Sequence, residues 1–242
     1  MRALSPSLRH ALPFADLALV GCSSEEPLVD ATPALGTTAP SATTARAAPS
    51  PNEVIAIAWL PAPVARFRGQ LEAMGRRHGI DPELLAIVTL VESGGWAAAR
   101  SPSGARGLMQ VMPRTGAIIA EERSIAEFAT EQLDEPATNL DFGAYYLAQQ
   151  LRRFATPDPD ESVERAAAAY NGGPTHLERH LAGAALADQT QRYRTWVGSM
   201  WRERRLPRSA GLSAWLDAGG ARLLARGAEE MVAKVNEGAV NP

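Results

Sequence analysis

The sequence predicts an all-α fold, and three observations predict it. Apolar residues recur at helical spacing, as at Leu84, Ile87, Val88 and Val91, where a 3.6-residue period puts them on one face. Starts are written with acid and proline and stops with glycine, as in Asp81-Pro82-Glu83 and Gly94-Gly95. Strand signals are sparse, with 54–60 the one candidate. The 242 residues are 45% apolar and 21% charged, enough for a good-sized globular domain. The single cysteine, Cys22, excludes an intramolecular disulfide framework and a Cys-rich zinc site. A net charge of −3 does not mark the chain as a nucleic-acid binder. No apolar run approaches the ~20 residues that span a bilayer.

The first residues read as an address. Residues 1–10 carry Arg2, Arg9 and His10 without an acid, and 11–21 form a short apolar stretch, the pattern of a secretory signal. Leu19-Val20-Gly21-Cys22 resembles a bacterial lipobox, in which cleavage before the cysteine accompanies lipidation of its thiol. Pro13 and Asp16 interrupt the apolar stretch, and the alternative is a misassigned start with an ordinary N-terminal cysteine. The lipobox reading makes 1–21 a lipoprotein-type signal and Cys22 a lipidation site. Ser23 after the cysteine then favours the outer membrane, with the protein facing the periplasm. Residues 22–52 form a tether: over 23–52, 21 of 30 residues are Pro, Ala, Ser or Thr and none is aromatic. Such a segment buries too little apolar surface to offset its ordering entropy and is expected to be disordered.

The domain proper is expected over 53–206, with a helical extension over 207–242. A helix over 64–78 closes at Gly79. A second starts at Asp81-Pro82 and stops at Gly94-Gly95; a loop rich in Ser, Gly and Pro follows over 101–107. A short helix over 114–122 follows Pro113. Pro136 opens the next, with Leu140, Ala144, Leu147, Leu151 and Phe154 along its apolar side. An Ala-rich helix over 162–170 stops at Gly172-Gly173-Pro174, and a long one covers 188–205. The tail over 213–236 is helical but weakly patterned.

Glu92 is the candidate catalytic residue. It follows Val88 by four positions and Leu85 by seven, on their inward-leaning stripe, in the last turn before Gly94. Burial and the negative end of the helix dipole both disfavour its anion. A glutamic acid kept protonated near neutral pH suits a general acid. The bland alternative is a solvent-exposed acid at a helix end.

Four blocks surround it in order. The first is Glu92-Ser93-Gly94-Gly95 with Ser101-Pro102-Ser103-Gly104-Ala105-Arg106-Gly107-Leu108-Met109-Gln110-Val111-Met112-Pro113. The second is Pro136-Ala137-Thr138-Asn139-Leu140 with Gly143-Ala144-Tyr145-Tyr146-Leu147. The third is Ala169-Tyr170-Asn171-Gly172-Gly173-Pro174, and the fourth runs from Gln191-Arg192-Tyr193 to Trp196-Val197. Together they resemble the lytic transglycosylases with a lysozyme-like SLT (soluble lytic transglycosylase) catalytic domain. Members often carry Asn-Pro soon after the Glu, where this chain has Ala97-Ala98.

The resemblance implies an all-α lysozyme-like fold and non-hydrolytic cleavage of the β-1,4 bond between N-acetylmuramic acid and N-acetylglucosamine in peptidoglycan, without cofactor or metal. Glu92 serves as acid and then base, and no second carboxylate is required. By matched position, Ser101 would bond the sugar or its N-acetyl group, Gln110 would contact substrate and Met112 would line the cleft. Tyr170 would place its hydroxyl near Glu92, and Asn171 would fix its loop or bind substrate. Alternatives stand beside these roles. Met109 and Met112 could be core, one of Tyr145 and Tyr146 could be packing, Trp96 could stack on a sugar or cover the helix end, and Ser93 could be a local cap.

Other constellations are weaker. His176 and His180 have a metal-compatible spacing but no third ligand pattern. Residues 192–208 hold six arginines, read as a docking face for anionic wall or lipid or as a solvated helix face. The partners expected are peptidoglycan strands, and a membrane only through the lipid at Cys22. Rival functions are a hydrolytic lysozyme, which would need a placed water and a second acid, and a non-catalytic wall-binding scaffold.

Overall fold

The computed structural model describes residues 54–240, with side chains through residue 237. The readings at 1–21, at Cys22 and over the tether lie outside the described residues. Within them every regular element is a helix, the only pairing outside helices being isolated bridges at Arg100–Arg106 and Arg106–Val111. No described helix is long and apolar enough to cross a membrane.

The candidate strand over 54–60 is not one. Residues 54–57 belong to no regular element and 58–59 form a turn, with Ile55 and Ile57 buried. Their alternation is that of a half-buried strand, but no partner strand exists among the described residues. Carboxylates take over the ladder: Ile55 N–H donates to Glu72 and Ala56 N–H to Glu83. The helix expected over 64–78 is broken at Arg66–Phe67 into α1 (Ala62–Ala65) and α2 (Arg68–His78). The break buries Phe67 and lets the Arg66 guanidinium reach the carbonyl oxygen of Gly95.

Helix α3 (Pro82–Ser93) starts and stops where its caps say. Asp81 accepts the N–H of Glu83 at 2.8 Å, and Gly94 turns the chain in the left-handed region at φ 61°. It is the central helix: Leu84, Leu85, Ile87, Val88, Leu90 and Val91 are all at most 2% exposed, so apolar surface surrounds it rather than forming one stripe. Helices α4 (Pro113–Glu122) and α5 (Pro136–Arg153) follow, joined through a 3₁₀ turn at Thr130–Asp134. The Ala-rich helix, α6, runs over Pro159–Gly172, three residues longer at its start than expected because Asp158 caps it and Pro159 opens it. Then come α7 (Pro174–Leu181) and α8 (Asp188–Arg202), which packs along α6 and crosses α3.

Four of the six arginines over 192–208 pair with carboxylates of the fold. Arg194 and Arg202 pair with Glu164 of α6. Arg205 reaches the buried Glu83 at 2.6 Å, and Arg204 lies 3.6 Å from the same carboxylate with its guanidinium over the Trp201 ring. Glu83 thus joins the N-terminal segment, the core helix and the end of α8.

The tail is more ordered than its weak pattern suggests. Helix α9 (Ala210–Trp215) buries Trp215, and after a kinked turn at Leu216–Gly220 helix α10 (Ala221–Val240) lies against α1 and the end of α3. Glu230 of α10 accepts from Arg66 and from the Ala98 N–H. A Cβ at Gly227 would sit 2.6 Å from Gly94 O and 3.0 Å from Pro63 Cβ, both on unyielding backbone or ring. Gly227→Val is therefore expected to cost about 1–3 kcal/mol of stability. A chemical-denaturation midpoint unchanged from wild type would show that α10 is not seated this way.

Candidate active site

Glu92 stands in the last turn of α3, partly accessible, with its carboxyl wedged between α3 and α8. The Tyr193 hydroxyl of α8 donates to Glu92 Oε1 at 2.7 Å. Burial is the larger influence and raises the Glu92 pKa to about 8, against the lowering effect of Tyr193. No neighbouring carboxylate is among the groups that set its titration. Glu92 is thus a neutral acid at pH 7 whose anion has one preformed donor, an arrangement that can give a proton and take it back.

Tyr193 stands in the fourth block, but the sequence assigned it no role. The expectation placed Tyr170 at the acid. Burial and the charge of Glu92 both raise the Tyr170 pKa, so the two groups are within electrostatic reach. The Tyr170 hydroxyl, however, donates to Met109 O at 2.8 Å, so direct contact with Glu92 belongs to Tyr193. Both phenols are buried and stay protonated. Replacing Tyr193 by Phe removes the one contact that lowers the Glu92 pKa. The alkaline limb of the pH–rate profile is expected to move upward by about one unit, with activity falling. An unmoved limb would show that the bond does not tune the acid.

The loop between α3 and α4 is held from both sides. Ser93 Oγ lies 2.8 Å from Leu108 O and accepts the Gly95 N–H, the local cap considered for it. Arg100 and Arg106 both bind Asp134. Asn139 of α5, fully buried, accepts the Met109 N–H and donates to Arg106 O and Leu133 O, all within 2.8 Å. Gly107 must be glycine, since it sits at φ 74° with the Asn139 amide 2.3 Å from where a Cβ would lie.

The other expected site residues sort as follows. Gln110 adopts φ 45°, rare for a side-chain-bearing residue, and its amide nitrogen donates to Gly107 O and Ala99 O. It therefore shapes the loop from within. Ser101 Oγ accepts the Ala105 N–H in the same loop. Met112 is partly exposed at the start of α4, whereas Met109 is core, packed on Gly143. Asn171 is buried at the end of α6. Neither Tyr145 nor Tyr146 is fully buried; Tyr146 packs its ring 5.4 Å from that of Tyr170. Trp96 is partly exposed, with the Arg226 guanidinium 5.9 Å from its ring. His180 Nδ1 lies 2.8 Å from Ala184 O, and no group of three metal-ligating side chains occurs among the described residues.

Comparisons with known proteins match the region of the chain that contains Glu92. Residues 70–192, just over half the chain, match the Transglycosylase SLT domain family. An endo-type membrane-bound lytic murein transglycosylase A from Klebsiella pneumoniae is 38% identical over 79 residues, 32% of this chain and 39% of that protein. A membrane-bound lytic murein transglycosylase C from Haemophilus ducreyi is 34% identical over 128 residues, 50% of this chain and 33% of the relative. The chain therefore spans well under two thirds of the length of these relatives. Among solved structures, an inactive mutant of lytic transglycosylase Slt from Pseudomonas aeruginosa aligns over 57% of this chain and 24% of its own at 28% identity, with a TM-score of 0.49.

Proposed function

Because the chain belongs to the Transglycosylase SLT domain family, we propose that it is a peptidoglycan lytic transglycosylase. In this reading it cuts the β-1,4 bond between N-acetylmuramic acid and N-acetylglucosamine without water. The observation that carries it is the neutral Glu92 at the end of α3, its pKa near 8 and its carboxyl already bonded to Tyr193.

The chemistry runs through one carboxyl. Glu92 protonates the leaving glycosidic oxygen as the sugar's 2-acetamido oxygen attacks C1, so no protein nucleophile is needed. The Glu92 anion, received by the Tyr193 hydroxyl, then takes the proton of the muramic acid 6-hydroxyl. That oxygen closes on C1, the acetamido oxygen departs, and a 1,6-anhydro end results. A pKa near the operating pH serves both steps. Met112, partly exposed at the start of α4, faces the substrate, and Ser101, Gln110, Tyr170 and Asn171 act through the loop and helix end they shape.

The reading also takes 1–21 as a signal and Cys22 as the lipid anchor. Residues 22–52 are then the tether, 53–206 the catalytic domain and 207–242 its extension, placing the enzyme in the periplasm at the outer membrane. The membrane-bound relatives support an anchor. The test is digestion of purified peptidoglycan by the full chain, with released muropeptides weighed. Ends about 18 Da lighter than hydrolysed ones, the mass of one water, support the reading; reducing ends would make the protein a lysozyme, and binding without release a scaffold.

A further inference from the structure

The loop that follows the acid is held by a helix from the far end of the chain. Residues 94–98 are bonded among themselves by short turns, Trp96 N–H to Ser93 O and Ala99 N–H to Trp96 O. Their ties to distant residues lead to Glu230 of α10. The Ala98 N–H donates to Glu230 Oε2 at 3.1 Å. The Gly95 carbonyl oxygen accepts from Arg66 at 3.0 Å, and the same guanidinium nitrogen donates to Glu230 Oε1 at 3.0 Å. One carboxylate, its side chain 15% exposed, thus reaches both ends of the loop. Helix α10 lies beyond residues 70–192, the stretch that matches the family.

Backbone packing makes the same connection. A Cβ on Gly94 would lie 2.6 Å from Leu223 C and from Leu224 N, and one on Gly227 would lie 2.6 Å from Gly94 O. Glycine at both positions lets α10 rest directly on the end of α3, two residues from Glu92. The Arg226 guanidinium stands 5.9 Å from the Trp96 ring in the same loop. Helix ends open readily unless their groups are tied down, and here the end carries the acid. The charged and titratable groups acting on Glu92 are Tyr193 of α8 and Tyr170 of α6, with none from α10. Glu230 itself faces Arg66 and, at 3.5 Å, Lys234. The influence of α10 on the acid therefore runs through backbone placement and burial, not through charge.

We propose that Glu230 is a positioning residue for the cleavage. Through the Ala98 N–H and Arg66 it latches the loop after Glu92, which keeps the last turn of α3 closed and the acid dry and turned to Tyr193. The C-terminal extension is then a working part of the active site rather than an appendage. This rests on the transglycosylase reading above. Charge-assisted bonds from a half-buried carboxylate suit such a latch, because they fix direction as well as distance.

The experiment follows anhydro-end formation by the full chain against pH, for wild type, Glu230→Ala and Glu230→Gln, well below each melting temperature. Glu230→Ala is expected to lower kcat roughly tenfold with KM nearly unchanged, because it misplaces the acid without removing a substrate contact. Its wetter carboxyl ionises more easily. The alkaline limb, set in the wild type by an acid titrating at about 8, should therefore move down by about one unit. Tyr193→Phe is expected to move the same limb up, so the two effects have opposite signs. Glu230→Gln keeps an acceptor for the Ala98 N–H and should recover most of kcat and of the limb. A residue serving stability alone would lower the melting temperature and leave the limb in place. A limb that stays or rises in Glu230→Ala, or a KM that climbs while kcat holds, would overturn the proposal. A wild type that yields no anhydro ends would overturn the transglycosylase reading itself, and this one with it.

Discussion

Glu92→Gln is expected to abolish anhydro-end formation, by about 10³-fold or more, while the protein stays folded. The side chain keeps its shape and its contact with Tyr193 but loses the proton it must give and the charge it must regain. Losing the acid and base of a two-step reaction removes the general acid–base contribution twice, each about 10²–10⁴-fold. The same substitution should change the pH dependence of stability. The folded-state pKa is raised from 4.5 to about 8, so between those values the folded state holds a proton that the unfolded state has released. Stability from this group is fully present below about 4.5 and is lost as pH rises toward about 8. The wild type should lose roughly 3–5 kcal/mol across that window from this group alone, and Glu92→Gln should not. Urea denaturation at pH 5 and pH 8.5 reads this directly. Equal slopes in both proteins would mean that Glu92 is not held neutral, and the acid role would fall with it.

Asn139→Leu is expected to be the most damaging substitution away from the acid. Its carboxamide satisfies three buried backbone groups, at Met109, Arg106 and Leu133. Leucine fills the volume but leaves a donor and two acceptors stranded, at about 1–3 kcal/mol each before relaxation. A loss of about 3–5 kcal/mol is expected, at the upper end for single substitutions. Activity should fall further than stability accounts for, by roughly 10²-fold in conditions where the variant is folded, because the loop carrying Gln110 and Met112 loses its anchor. The checks are the denaturation midpoint and the rate on peptidoglycan well below it. A change under about 1 kcal/mol would mean that water replaces the carboxamide and that the loop holds itself.

These two residues mark how far the sequence reaches. The caps of α3, its apolar content, its stop at Gly94 and the place of Glu92 in its last turn were legible because each depends on residues within one or two turns. So were the starts at Pro113 and Pro136 and the expectation of a protonated acid, since burial and the helix end both follow from local pattern. What required the tertiary structure is the choice of partners. Tyr193 reaches Glu92 across 101 positions, and Tyr170 turns instead to Met109. The arginines after Tyr193 look like a free basic face in one dimension; folding brings Glu83 and Glu164 to them. The weakly patterned tail becomes a seated helix only because Gly227 lets it meet Gly94. Helix signals are local because the helix hydrogen bond spans four residues. Which hydroxyl meets which carboxyl is settled by how whole helices pack, and side chains far apart in sequence carry no local record of that meeting.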